Sequence, residues 1–423
     1  MAEPLSSDSY KGVRDFYPSD WEKLEAMFAR MRSTLALWGY EEYNASPLER
    51  AELYEAKTSE EIVNEQTYTF MDRGDRRVTL RPEMTPTLAR MLAHKRRELA
   101  FPLRWFSIPN VFRYERPQKG RLREHYQLNV DLVGASGVEA DLEIITLASD
   151  LLRSFGAQER DFIIRVNSRA LLVAACDAAG LKGDATRAYL RLLDKKSKMV
   201  PEAFAAAQAV ITSAADPLQL ITNAGGSPDI VREKQSLETT IEALKLRGVT
   251  NAVLDPTLTR GFDYYTGVVF EIFDTNPANP RSLFGGGRFD KLVALFGVDP
   301  VPAIGFGMGD VTLADFLETH QLMPSGSERK PQLYLGTPSP ADIPAAQAFA
   351  AMLRKDGGRV FVNLTERSLG DQIKDAAKRS IPFFIAYGAD EIANQTVRMK
   401  LLRTSEEAVF ALSELPARLR AGN

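Results

Sequence analysis

Residues 112–134 read FRYERPQKGRLREHYQLNVDLVG, and the end of this stretch decides the fold. Leu128, Val130 and Leu132 alternate with Gln127, Asn129 and Asp131, the period-two pattern of a half-buried strand. Successive side chains of a strand point to opposite faces, so the amide and carboxylate groups share one face and the aliphatic residues the other. Upstream, Arg113 has aromatic flanks and leads into a polar loop with Arg116, Lys119, Arg121 and Arg123. Strand, basic loop, strand is the expected local structure. A carboxylate and an amide beside several guanidinium groups suit a ligand with both positive and negative parts. A solvated hairpin with a basic tip fits the same residues.

Toward the N-terminus, KGVRDFYP (11–18) reads as a polar entry loop closed by Pro18. A helix follows, capped by Ser19 or Asp20. Trp21, Leu24, Phe28, Met31, Leu35 and Trp38 recur along it at spacings of three and four, and Gly39 stops it. QTYTFMDRGDRRVTLRP (66–82) reads as a β-hairpin around Arg73-Gly74-Asp75. Its second strand delivers Arg81, Glu83 and Thr85, and Thr85-Pro86 looks like an N-cap followed by proline at the first helical position. A strand-to-helix junction suits binding groups and plain capping alike.

Toward the C-terminus, residues 138–155 form an amphipathic helix ended by Gly156, and 161–167 a short strand. From 168 to 248 strand signals vanish and a helical insertion is expected, punctuated by Pro201 and Gly225-Gly226. Its Lys195-Lys196-Ser197-Lys198 run suits a solvated helix face or a nucleic-acid contact. The strand signal returns at 251–273, where RGFDYYTG (260–267) sets Arg260, Tyr264 and Tyr265 between strand-like runs; a turn with aromatic packing is the alternative. GGGRFD (285–290) lets backbone approach an anion but lacks the lysine and spacing of a P-loop. AIGFGMGDVTLADFL (303–317) is a glycine-rich strand running into a helix, and QLMPSGSERKPQ (321–332) is a linker. Beyond it, strands at 333–336, 359–364, 382–387 and 396–402 and helices at 340–355 and 370–379 make a small α/β domain with mostly parallel strands.

Composition narrows the function classes. The 423 residues are too many for one small domain, and a net charge of −3 excludes a global nucleic-acid field, so any basic site is local. One cysteine, Cys176, excludes an internal disulfide. His94, His125 and His320 are scattered without metal-ligand spacing, so no metal site built from histidine or cysteine is expected. No apolar run approaches the roughly 18 residues of a membrane span, and MAEPLSSDSY lacks the apolar core of a signal peptide. A cytoplasmic protein without membrane attachment is expected.

Several of these strings together resemble the class II aminoacyl-tRNA synthetases, and among them the histidyl-tRNA synthetases of subclass IIa. KGVRDFYP resembles that family's N-terminal signature, and GYEEYNASPLE (39–49) class II motif 1 with Pro47 as its proline. FRYERPQKGRLREHYQ resembles motif 2, LTRGFDYYTG (258–267) the histidine-specific motif, and 369–403 the class IIa anticodon-binding domain. The resemblance implies an α+β fold: an antiparallel sheet of six to seven strands flanked by helices, with a helical insertion and a C-terminal α/β anticodon-binding domain. The implied division is 1–167 with 250–322 for catalysis, 168–249 for the insertion, 323–332 for the linker and 333–423 for the anticodon. It implies a homodimer formed through motif 1.

The implied activity joins L-histidine to its tRNA through a histidyl-adenylate made with ATP and Mg²⁺. By the same resemblance Arg113 and Arg260 are catalytic. Glu83, Thr85, Gln127, Asp131, Tyr264 and Tyr265 bind histidine. Arg113, Glu115, Arg121, Arg123 and Arg288 bind ATP, and Arg116 and Gln118 meet the tRNA acceptor end. Two positions depart from the family pattern. Thr312 stands where motif 3 has an arginine that holds ATP, with Arg288 as first choice to replace it, and Asp131 stands where a glutamate is common. A histidine-sensing regulatory subunit of ATP phosphoribosyltransferase, which resembles the catalytic part alone, is the other reading.

Overall fold

The computed structural model describes residues 5–55, 66–196, 199–212, 215–223, 227–260, 264–324 and 330–421. Ser197, Lys198, Gly225, Gly226, Gly261–Asp263 and the linker residues 325–329, singled out above, lie outside them. The chain divides into two compact units, Met1–Ser325 and Gly326–Asn423.

The strands of the first unit are β1 (Glu41–Glu42), β2 (Leu48–Arg50), β3 (Tyr68–Met71), β4 (Arg77–Leu80), β5 (Leu103–Ser107), β6 (Asn110–Phe112) and β7 (Glu124–Val133). They continue with β8 (Phe162–Ser168), β9 (Ala252–Leu254), β10 (Val268–Asp274), β11 (Ser282–Arg288) and β12 (Ala303–Gly309). Nine of them form one sheet in the order β1-β5-β7-β12-β11-β10-β8-β9, with β6 paired to the start of β7. The six strands from β5 to β8 run antiparallel, while β1 and β9 add parallel edges. The antiparallel strands, six with β6 as a seventh, match the six to seven that the resemblance implies, and the two short parallel edges widen the sheet beyond them.

The aliphatic face of β7 does what its period predicts. Leu128, Val130 and Leu132 are buried in one cluster with Met31 and Leu35 of the helix Pro18–Leu37 and Ile144, Ile145 and Ala148 of the helix Val138–Ser154. The first of these helices begins at Pro18 itself, with Tyr17 before it and no side-chain cap, so Ser19 and Asp20 lie inside its first turn. Proline suits that place because its missing N–H is an orphan there anyway. The opposite face of the sheet is left to the polar residues of β7.

The described residues between 169 and 249 are mainly helical as expected, with helices Arg169–Ala178, Asp184–Asp194, Pro201–Ile211, Pro217–Thr222 and Pro228–Leu246. Leu171, Cys176, Tyr189 and Leu244 belong to the same buried cluster as the sheet residues Ile164, Val166 and Phe270. The helices thus share a core with the sheet. A second three-stranded sheet, β2-β4-β3, holds the predicted 66–82 hairpin.

The second unit is a five-stranded sheet with helices. Its strands β13 (Leu333–Gly336), β14 (Val360–Val362), β15 (Phe383–Ala386), β16 (Thr396–Leu401) and β17 (Glu407–Ala411) lie in the order β14-β13-β15-β16-β17. Only the β13–β14 and β13–β15 pairings are parallel; β15–β16 and β16–β17 are antiparallel. The expectation of mostly parallel strands missed β17, whose residues are exposed or half-buried and show no clean alternation.

Candidate active site

The polar face of β7 floors a cavity of about 110 Å³ lined by Gln127, Asn129 and Asp131. Its neighbour β12 presents Gly305 opposite Asp131 and Gly307 opposite Asn129. A side chain there would close the cavity: a Cβ at Gly305 would run into Asp131 Oδ1 and the Val130 carbonyl, and one at Gly307 would stand 2.9 Å from Gln127 Nε2. On β11 a Cβ at Gly285 would collide with Arg260. The glycine-rich strands clear room above the sheet.

Other elements supply the walls. Glu83 and Thr85 come from the junction between β4 and the helix Thr85–Lys95, and Arg113 from the end of β6. Arg260, Tyr264 and Tyr265 come from the segment before β10. The helix begins at Thr85 rather than after it, so Thr85 is not the cap expected from sequence, and it borders the cavity. Tyr264 Oη donates to Glu83 Oε2 at 3.0 Å, and Tyr54 Oη donates to the Glu83 carbonyl at 3.2 Å. Arg113 Nε donates to the Pro82 carbonyl at 2.9 Å, which fixes the guanidinium between two cavities. Arg260 is paired with Glu271 at 3.1 Å, lies 5.8 Å from the Tyr265 ring centre, and keeps a buried Nε without a hydrogen-bond partner.

Burial sets the protonation of these groups. It pushes the Asp131 carboxyl up to about 8, with no cation or donor to offset it. Burial also raises the Tyr264 hydroxyl, and the Glu83 charge beside it adds to the rise. Burial works against the Arg260 charge, but Tyr265 and Glu271 outweigh it and the net shift is upward.

A second cavity of about 140 Å³ adjoins the first, sharing Arg113, Gln127 and Gly307 with it. Glu115, Gly120, Arg121, His125, Leu283 and Thr312 complete most of its wall. Glu115 is buried and ion-paired with Arg121. Thr312 Oγ1 donates to the Leu283 carbonyl at 2.7 Å. His125 is held down to about 3 by burial and by the charges of Arg113, Arg14 and Arg121, so its ring is neutral.

Eight residues expected to meet histidine or do catalysis therefore surround the first cavity: Glu83, Thr85, Arg113, Gln127, Asp131, Arg260, Tyr264 and Tyr265. Arg113, Glu115 and Arg121 border the second. Arg123 borders neither. Its Nε donates to the Glu115 carbonyl at 3.1 Å and its guanidinium lies over the Tyr114 ring, so it braces the loop. Arg116 and Gln118 stand exposed on that loop.

Arg288 is a correction. Gly285 and Gly287 face the cavity side of β11, so period two sends Arg288 to the opposite face. There it is buried, with Nη2 2.6 Å from Asp141 Oδ1 and Nη1 3.3 Å from Asp290 Oδ1, and it borders neither cavity.

Three residues went unassigned in the sequence. Asn129, which the alternation places on this β7 face without a role, and His125, which the same period could have found, stand with Gln127 and Asp131. Arg281 had no such signal. It borders neither cavity, but its Cδ and the Thr312 Cγ2 both approach within 4 Å of the point where a Cβ of Gly120, in the wall of the second, would be.

Among the described residues no cluster of histidine, cysteine or carboxylate suited to a metal ion occurs, and no helix is long and apolar enough to cross a membrane. The family model described as "Histidyl-tRNA synthetase" matches residues 12–311, and that of an "Anticodon binding domain" matches residues 333–422. The histidine–tRNA ligase of Leptospira biflexa is 41% identical over 97% of each chain. The fold is shared with the histidyl-tRNA synthetase of Nostoc sp. PCC 7120, at TM-score 0.77, 22% identity, and 99% and 100% of the two chains covered. A Bacillus halodurans C protein described as "ATP phosphoribosyltransferase regulatory subunit/histidyl-tRNA synthetase" also shares it, at TM-score 0.68 and 24% identity over 90% of this chain and 97% of that one. Fold alone therefore does not separate the two activities, but the sequence match does separate the families: with the synthetase model spanning most of its length and a relative this similar end to end, the chain belongs to the histidyl-tRNA synthetase family.

Proposed function

We propose that the chain is a histidine–tRNA ligase that activates L-histidine with ATP and transfers it to the 3′ end of its tRNA. The carrying observation is the first cavity, where two arginines, a buried carboxylate pair and two tyrosines surround a space of amino-acid size. ATP is the energy-giving substrate of class II synthetases, and magnesium enters with it as MgATP, held largely by phosphates and water. A histidine carboxylate oxygen attacks the α-phosphorus of ATP. The bond from phosphorus to the oxygen bridging toward the β-phosphate breaks, and pyrophosphate leaves. A ribose hydroxyl at the tRNA 3′ end then attacks the histidyl carbonyl, and AMP leaves.

Such chemistry asks the protein for position and fixed charge rather than for a nucleophile. Arg113, pinned at the boundary of the two cavities, clamps the α-phosphate and the attacking carboxylate. Arg260 faces it with a permanent charge whose Nε has no other partner. Glu83, Thr85 and Gln127 receive the α-amino group, and Asp131 and Tyr264 receive the imidazole. Substrates without the ring leave those buried groups unpaired. The second cavity takes the nucleotide. With Arg288 committed elsewhere, Arg121 and Arg281 supply the charge that Thr312 does not.

Residues 1–167 with 250–322 act as the catalytic part, 168–249 as its helical insertion and 333–423 as the anticodon reader. Arg116 and Gln118, exposed on the motif 2 loop, reach the acceptor end. Exposed apolar residues of the β2-β4-β3 sheet, whose β2 begins within motif 1, support a homodimer. Leu48, Phe70 and Met71 are about half exposed there, and Leu48 and Met71 border a groove with Leu295 and Phe296. A cytoplasmic location fits the substrates. The anticodon-domain match at 333–422 favours the ligase over a regulatory subunit. Histidine-dependent ATP–pyrophosphate exchange followed by histidylation of tRNA tests the proposal. Exchange without charging, or neither, would overturn it.

A further inference from the structure

Beside Asp131 the structure leaves two hydroxyls that the site described so far does not use. Tyr43 Oη and Ser107 Oγ are both buried and lie beside each other, and neither bonds to any other described group. Buried polar atoms without partners are rare in native proteins and ask for an explanation. The strand register says where they stand. On β5, Trp105 lies opposite Asp131 and Ser107 opposite Asn129. Opposite residues of an antiparallel pair share a face, so Ser107 joins the cavity side of the sheet. The Tyr43 backbone N–H donates to the Phe106 carbonyl at 2.8 Å, and its ring packs on Trp105 at 5.5 Å between centres. This holds the Tyr43 hydroxyl near Ser107, and Asp131 is the charged group that influences it most.

Asp131 completes the picture. It is 4% exposed, lines the cavity, and accepts no hydrogen bond from any described residue. A carboxylate that is to accept from an imidazole N–H at that depth needs donors of its own, or it takes a proton and becomes a poor acceptor. Tyr43 and Ser107 are donors with only each other to serve. An aspartate is one methylene shorter than glutamate, which keeps its oxygens close to the sheet, with Oδ1 over Gly305 of β12.

We propose that Tyr43, supported by Ser107, is a positioning residue for side-chain selection: when histidine binds, its hydroxyl turns to donate to one oxygen of Asp131 and so presents the other to the imidazole. The proposal rests on Asp131 facing the imidazole, as read above. Tyr43 acts through Asp131 and does not itself touch the substrate.

Histidine binding to the full chain by calorimetry, without ATP, tests it in four proteins: wild type, Tyr43→Phe, Asp131→Asn and the double variant. Ser107→Ala is a second probe, and each variant is checked by its thermal midpoint. The expected result is a dissociation constant for histidine weakened roughly tenfold in Tyr43→Phe, less in Ser107→Ala. ATP KM in the exchange assay stays within about twofold, and Tyr43→Phe adds nothing once Asp131 is asparagine. Equal loss in the wild-type and Asp131→Asn backgrounds would overturn the proposal, as would histidine and ATP constants moving together. Unchanged histidine binding in Tyr43→Phe overturns it as well. Should Tyr43→Phe not fold, Ser107→Ala decides alone by the same criteria. If Asp131→Asn itself leaves histidine binding unchanged, it is the placement of the imidazole that fails.

Discussion

At the residue scale the site is a set of charges held against burial. Asp131 states this most directly. Its folded value of about 8 stands well above the roughly 3.9 of an unfolded aspartate. Between those values the unfolded chain releases a proton that the folded chain keeps. The stability Asp131 contributes is therefore full below about pH 4 and declines as pH rises toward 8. Without substrate, Asp131→Asn should raise the thermal midpoint at pH 8 relative to wild type, and the gain should vanish near pH 4; equal midpoints at pH 8 would mean the carboxyl is not isolated. Arg260, by contrast, keeps its charge under the same burial. Arg260→Ala is expected to lower ATP–pyrophosphate exchange by about a hundredfold or more, because the lost charge acts where negative charge develops. Exchange within a few-fold of wild type would remove Arg260 from the chemistry. Thr312 tests the nucleotide side. An arginine there would enter a 140 Å³ cavity already bordered by Arg113 and Arg121. ATP KM should therefore rise several-fold in Thr312→Arg. A tenfold fall would show that a cation had been missing.

At the element scale the decisive feature is the pairing of β7 with a strand that carries almost no side chains on the cavity face. Gly305→Ala places a methyl against both the Asp131 carboxylate and the Val130 carbonyl. The carboxylate can rotate, but the carbonyl is backbone in the centre of the sheet, so the strands must part. Loss of stability by about 1–3 kcal/mol is expected, as for overpacking elsewhere. Histidine binding should fall with it even at temperatures where the variant stays folded. An unchanged midpoint in urea or heat would show that β12 yields easily there.

The same elements show what could be read in advance. The β7 alternation placed Gln127, Asn129 and Asp131 on one face, and the structure adds His125 by the same period. Arg288 went astray because three preceding glycines advertise access for a ligand without saying to which face the fourth residue turns. Only pairing with β10 and β12 settles that phase. Tyr43, Ser107 and Arg281 were not legible for a different reason. They meet the site through strand register and loop approach across 22 to 161 residues of sequence, and no local pattern records such neighbours. The parallel edges β1 and β9 are too short for any period to show.

At the scale of the whole molecule the chain is two units with separate cores. Leu333, Leu335, Phe349, Ile385 and Leu415 close the core of the second unit, and every side chain that borders the two cavities comes from the first. A unit with its own core and a polar linker before it meets the conditions for folding alone. Ending the chain at Ser325 should therefore leave histidine-dependent exchange within a few-fold of the full chain, since adenylate formation needs only the first unit. Charging of tRNA should fall at least about tenfold, because the reader proposed for 333–423 is gone while the acceptor-end contacts of the motif 2 loop remain. The two assays separate the possible failures. Full charging by the truncated chain would refute the anticodon role of the second unit. Loss of exchange together with loss of charging would mean that the first unit depends on the second to fold, and a lowered thermal midpoint would accompany it. Exchange retained with charging lost assigns the two steps to different units, the arrangement that two independent cores permit.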